Sequence, residues 1–167
     1  MNGEPPPLVH GLPYRLLVPG RYGVKNIKWP TELAFVDTPH ESYWTPQGWN
    51  EEAKYRANTF VTRPVEGIQL VKGECVRFAG TAFAGADPIA SVEISLDGGP
   101  WEPAVIDYSN GPHIWTLWSW DWTSKEGSHS LQVRCTTESG VESHPAPDGS
   151  DQFSGYDGSM QIMVTVA

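Results

Sequence analysis

From about Thr59 onward, apolar and polar positions alternate in short runs separated by turn residues, the period-two pattern of half-buried strands. The clearest runs are Ile68–Val71, Val76–Phe83, Ile89–Leu96, Ala104–Tyr108, Ile114–Trp122, Ser130–Thr136 and Met160–Val166. Seven short strands in about a hundred residues are the number an immunoglobulin-like β-sandwich uses. Asp97-Gly98-Gly99 supplies the positive-φ residues of a tight hairpin, and Glu126-Gly127-Ser128 and Ser139-Gly140 punctuate later strands. Residues 1–56 read differently: proline-rich and irregular, with short extended pieces at Tyr14–Val18 and Thr31–Val36 and too little periodicity for a core of their own. The expected organisation is a mainly β chain, an irregular tail over 1–56 and a sandwich over 57–167, with no internal repeat and no helix.

Six apolar residues of the tail, Leu16, Leu17, Ile27, Trp29, Leu33 and Phe35, would be exposed unless they pack on the sandwich. At about 25 cal/mol per Å² of apolar area, shielding them outweighs the cost of closing a short linker, so packing is expected.

The aromatic pattern adds to this picture. Trp118, Trp120 and Trp122 share one face of a strand and Trp115 takes the other. Such a row fills a core or an interface, or stacks sugars if it is exposed. The two cysteines follow the same parity argument. Val76 and Phe78 share a face, which puts Cys75 beside Arg77 on the opposite one, whereas Leu131, Val133 and Cys135 alternate together as a buried face. Their separation would suit an inter-sheet disulfide, but the parity opposes it, and neither stands in a metal-binding or redox spacing. The polar run Gly140–Gly158 is long for a compact domain; it is a functional loop or a solvated excursion.

Charge and length narrow the function classes. At 167 residues with 39% hydrophobic positions, the chain supplies one sandwich-sized core. A net charge of −9 with 11 Lys+Arg gives no basic footprint for nucleic acid or anionic lipid, and neither is expected as a primary partner. No apolar run approaches the roughly 18 residues of a membrane span, and the N-terminus has neither a basic n-region nor an apolar h-region.

Cationic and turn residues concentrate in one stretch, His10-Gly11-Leu12-Pro13-Tyr14-Arg15 running through Val18-Pro19-Gly20 to Lys28-Trp29. Arg15 offers a planar fork suited to phosphate, Lys28 a point charge and His10 a directed ring nitrogen, while Pro13, Pro19, Gly20 and Gly23 favour turns that approach a ligand closely. Each cation taken singly is an ordinary surface residue. As an ordered set, with Met1-Asn2-Gly3-Glu4-Pro5 upstream, the stretch resembles the last cofactor-binding segment of the sulfite oxidase family of molybdenum enzymes. The later segments Ser91–Trp101 and Trp115–Trp122 resemble that family's immunoglobulin-like dimerisation domain, so the likeness covers almost the whole chain.

The resemblance implies that residues 1–56 are the end of an α+β molybdopterin-binding domain and that 57–167 pair two subunits into a homodimer. It implies pterin contacts from His10, Arg15, Asn26, Ile27 and Lys28, and a small-molecule substrate for the parent enzyme. The chain then reads as a C-terminal part, with any targeting signal upstream of Met1 and the compartment, periplasm or cytoplasm, left open. The family's molybdenum-ligating cysteine also falls upstream, so this chain alone is expected to hold no molybdenum and to be inactive. Two departures stand out. Trp49 takes the place of an active-site tyrosine and becomes a substrate-pocket residue, and the loop Asp151–Gly158 lacks the arginine that the family aims at its oxyanion. A site stripped of that cation and lined by indole holds sulfite poorly, which implies another substrate. Two other functions stay open: a free-standing immunoglobulin- or fibronectin-like module binding carbohydrate or protein, and a truncated product that only dimerises. An exposed Trp118 and Trp120 would favour the sugar-binding module, and a buried face the others.

Overall fold

The computed structural model describes residues 3–143 and 160–167, so most of the Gly140–Gly158 run, with the loop Asp151–Gly158, lies outside the described residues. Among the described residues nine strands follow in chain order: β1 (Asn58–Arg63), β2 (Gln69–Leu70), β3 (Cys75–Phe83), β4 (Ile89–Leu96), β5 (Glu102–Pro103), β6 (Val105–Tyr108), β7 (Thr116–Thr123), β8 (Gly127–Thr137) and β9 (Gln161–Val166). They make two sheets, β1-β3-β7-β6 and β2-β9-β8-β4-β5, packed face to face as a sandwich. Neighbours are antiparallel except β2 and β9, which run parallel.

Alternation decides which side chains face inward. Phe78 and Ala82 of β3, Val92 and Ile94 of β4, Leu131, Val133 and Cys135 of β8, and Ile162, Val164 and Val166 of β9 form one buried cluster. Trp118 sits in it at 1% exposure with Trp122 buried beside it, and Trp120 packs against it partly buried. The tryptophan face is therefore core, and the observation that would have favoured a sugar platform is absent. Trp115, on the other parity, is exposed and stacks on Phe83 with ring centroids 4.8 Å apart. Both cysteines are free, Cys75 exposed and Cys135 buried, as parity required. Burial pushes the Cys135 thiol up to about 12, which makes it a core side chain and not a thiolate ligand.

The strands that alternation failed to single out are β1 and β5. The first two residues of β1, Asn58 and Thr59, are buried polar groups, so the strand lacks the apolar signature. Thr59 is tolerated there because its hydroxyl donates to the Thr81 carbonyl at 3.1 Å and accepts from Trp118 Nε1 at 3.1 Å. Strand β5 is only Glu102-Pro103 on a sheet edge, where proline costs no ladder bond.

The tail departs from expectation. Thr31–Val36 forms no strand, and of the six apolar residues expected to pack on the sandwich only Leu16 is half-buried. Phe35 is 98% exposed, and Leu17, Ile27, Trp29 and Leu33 are exposed with it. The tail docks through other groups. Within the tail Tyr22 N–H donates to Ala53 O at 2.8 Å and Tyr55 N–H to Gly20 O at 3.1 Å, and an aromatic row Tyr22–Tyr55–Phe83–Trp115 carries it onto the sandwich with successive centroids 4.5, 5.0 and 4.8 Å apart. Gly20, at φ +74°, lies beneath the His113 ring, where a side chain would press on the imidazole.

One exposed turn cluster carries a titratable clamp. His129 faces Asp97 Oδ2 at 2.7 Å through Nδ1 and the Lys125 carbonyl at 2.8 Å through Nε2, and Asp97 Oδ1 accepts from Ser130 N–H at 2.8 Å. Two acceptors satisfy a doubly protonated ring, so the Asp97 carboxylate raises the His129 pKa against the opposing desolvation, with help from the Lys125 carbonyl. Asp97 is lowered in turn: partial burial opposes its charge, but His129 and the Ser130 amide outweigh it. The His129 contribution is complete below its unfolded pKa and is lost as pH rises through the higher folded value. The Asp97 contribution is lost in the acid direction. The melting temperature is expected to fall by a few degrees from about pH 6 to about pH 8.5, and the slope to flatten in His129→Gln. Thermal melts across that range check this; equal slopes for the two proteins would contradict it.

Candidate cofactor site

Residues 3–29 fold on themselves. A 3-10 turn over Leu8–His10 closes with Gly11 at φ +110°, a conformation suited to glycine, and a Cβ there would meet Arg15 Cβ at 3.0 Å. The chain then runs out and back as an irregular hairpin. Leu16 N–H donates to Ile27 O at 2.9 Å, Trp29 N–H donates to Tyr14 O at 3.1 Å, and Arg15 pairs with Lys28. Asn26 Oδ1 accepts from Val18 N–H at 2.8 Å and so braces the return. Lys28 Nζ reaches back to the Val9 carbonyl at 2.9 Å, Trp29 Nε1 to Leu8 O at 3.2 Å, and Arg15 Nη1 to the His10 carbonyl at 3.5 Å.

His10, Arg15, Asn26, Ile27 and Lys28 are thus brought into one small unit, although 18 positions separate the first from the last. Asn26 and the Ile27 carbonyl hold the register, and His10, Arg15 and Lys28 line its exposed side. Among the described residues no carboxylate pairs with Arg15 or Lys28. Two cations facing no carboxylate among the described residues, on the two legs of the irregular hairpin in a chain of net charge −9, fit a phosphate-bearing ligand. Among the described residues no three His, Cys, Asp or Glu side chains converge as a metal site.

Trp49 stands in a separate turn. Tyr43, Trp44 and Trp49 cluster there, with the Trp44–Trp49 centroids 6.1 Å apart and Trp49 N–H donating to Trp44 O at 3.2 Å. Its ring is 46% exposed. The link between this turn and the hairpin is Glu51, which sequence reasoning passed over. Glu51 Oε1 accepts from Lys25 Nζ at 2.7 Å, while Oε2 accepts from Ser42 Oγ at 2.7 Å and from the Thr45 hydroxyl. Lys25, then Thr45 and Ser42, hold the Glu51 carboxyl at about 2, well below the usual carboxylate range. An acid and a lysine 26 positions apart in an irregular segment leave no periodic signal to find.

Comparison with known proteins bears on both halves of the chain. A family model described as "Oxidoreductase molybdopterin binding domain" matches residues 1–44. Mitochondrial sulfite oxidase of Homo sapiens is 28% identical over 158 residues, covering 81% of this chain and 29% of that protein. Its counterpart in Drosophila melanogaster is 43% identical over 145 residues, covering 71% and 25%. Among solved structures, the sulfane dehydrogenase SoxCD from Paracoccus pantotrophus superposes with a TM-score of 0.79 at 27% identity, over 93% of this chain and 44% of that one. The chain therefore spans less than a third of the two relatives' length.

Proposed function

From the chain's membership of the sulfite oxidase family of molybdopterin oxidoreductases, we infer that it is the C-terminal portion of a molybdenum enzyme, supplying one wall of the pterin site and a dimerisation domain. The observation that carries the reading is the unpaired Arg15–Lys28 hairpin inside the residues matched to the molybdopterin-binding domain. When bound, the cofactor supplies two-electron redox chemistry. This chain's part is to grip it: Arg15 as a planar fork and Lys28 as a point charge toward a phosphate, His10 as a directed hydrogen-bonding ring, and Asn26 with the Ile27 backbone fixing the spacing between them.

Residues 1–56 form the end of the cofactor-binding domain in this reading, and 57–167 the dimerisation domain. The exposed apolar side chains of the tail, Phe35 above all, then belong against the remainder of that domain and not against the sandwich. A two-fold homodimer is the default symmetry, and Val105, Tyr108 and Leu117, exposed on neighbouring strands β6 and β7, offer apolar area to it. The substrate is a small molecule other than sulfite, because Trp49 presents an uncharged indole where the family places a tyrosine and no arginine occurs in Asp151–Gly158. The isolated chain binds no molybdenum, since the metal needs a thiolate and Cys135 is buried in the sandwich core while Cys75 lies on its outer face.

Sequencing the source DNA upstream of the Met1 codon tests the reading. The expected result is an open frame encoding a cysteine-bearing cofactor domain. An in-frame stop directly upstream would overturn it in favour of a chain that only dimerises.

A further inference from the structure

We propose that Glu51 is a positioning residue: its carboxylate fastens the Trp49-bearing turn to the Lys25–Lys28 cofactor segment and so sets where the Trp49 indole stands relative to that segment. The proposal rests on the reading of Lys28 and Trp49 given above and adds a residue to it.

The geometry is that of a three-way tie. One carboxylate oxygen takes the Lys25 ammonium at 2.7 Å, and Lys25 closes the 3-10 turn Gly23–Lys25 that leads directly into Asn26-Ile27-Lys28. The other oxygen takes the Ser42 hydroxyl at 2.7 Å, the Ser42 amide at 3.3 Å and the Thr45 hydroxyl. Thr45 opens the 3-10 turn Thr45–Gln47, which Gly48 ends in the left-handed region, and Trp49 follows at once with its amide on Trp44 O. Segments 23–28 and 42–49 thus both bond to the Glu51 carboxylate. Ser42 and Thr45 share a further bond at 3.0 Å, so the acceptor side of the tie moves as a unit. A carboxylate suits the task better than an amide, since it accepts from an ammonium and two hydroxyls at once and needs no donor of its own.

The test uses the 167-residue chain carrying 5-fluorotryptophan, with Trp49→Phe assigning the Trp49 fluorine resonance. Glu51→Gln and Lys25→Gln are each expected to shift that resonance toward the position of the free amino acid, and the double variant to shift it no further. Lys25→Arg, which keeps the ion pair, is expected to restore the native position. Trp118 and Trp122 resonances must stay in place, which shows that the sandwich is folded in every variant. The decisive case is Lys25→Gln, because Lys25 bonds Glu51 and Glu51 in turn bonds Ser42 and Thr45 of the Trp49 turn. A native Trp49 resonance in Lys25→Gln, or additive shifts in the double variant, would overturn the proposal. The cofactor reading fails on a different readout, the molybdenum content of Arg15 variants, which none of these spectra reports.

Discussion

Gly80→Ala is expected to destabilise the sandwich by about 3 kcal/mol or more, a fall of roughly 6–12 °C in melting temperature. Gly80 lies on β3 directly opposite Trp118 of β7, and the indole crosses the space a side chain would occupy. A Cβ there would overlap the Phe60 carbonyl oxygen and two ring atoms of Trp118. Neither can yield. The carbonyl belongs to β1, paired with β3, and Trp118 is fixed by its Nε1 bond to Thr59 and by the core on its other side. Gly98→Ala is the control. A Cβ at Gly98 meets open space, and φ +71° leaves only a conformational cost of about 1 kcal/mol. Thermal and urea unfolding of the two variants check the ordering; a Gly80→Ala protein as stable as the parent would show that the Trp118 ring does not lie across β3.

If the proposed parent enzyme is assembled with a cysteine-bearing cofactor domain, Arg15→Ala is expected to lower its molybdopterin content at least about tenfold. A charge-assisted hydrogen bond is worth about 1.5–3 kcal/mol, and each 1.4 kcal/mol is a factor of ten in occupancy. Fold stability should be unaffected, because Arg15 is exposed and its protein contact is a long bond to the His10 carbonyl. Lys28→Ala should lose less, since the Lys28 ammonium already gives one of its donors to Val9 O. Metal analysis and pterin fluorescence of the purified variants measure this. Full occupancy in Arg15→Ala would remove Arg15 from the site.

The sandwich was legible wherever burial and chemistry coincide. β3, β4, β7, β8 and β9 put apolar side chains on one parity, and period-two alternation reads them directly, including the inward tryptophans of β7 and the opposed cysteines of β3 and β8. β1 was opaque because its buried face begins with Asn58 and Thr59, whose burial depends on partners 22 and 59 positions away in the case of Thr59. The cationic set of the candidate site could be read as a set, since His10, Arg15 and Lys28 are close in sequence and distinctive in type. Its scaffold could not. The Glu51 tie and the Tyr22–Tyr55–Phe83–Trp115 row are long-range contacts made from irregular backbone, and no periodicity announces them. The misplaced expectation was that exposed apolar residues of the tail must find the sandwich. Hydrophobic area requires a partner but does not name it, and Phe35 and Leu33 stay exposed beside the sandwich.

The most direct test of the central claim is molybdenum per chain after cofactor loading and gel filtration, measured on the 167-residue chain and on the upstream-extended protein side by side. The account predicts none retained by the first and stoichiometric retention by the second. Stoichiometric molybdenum on the 167-residue chain, or none on the extended protein, would contradict it.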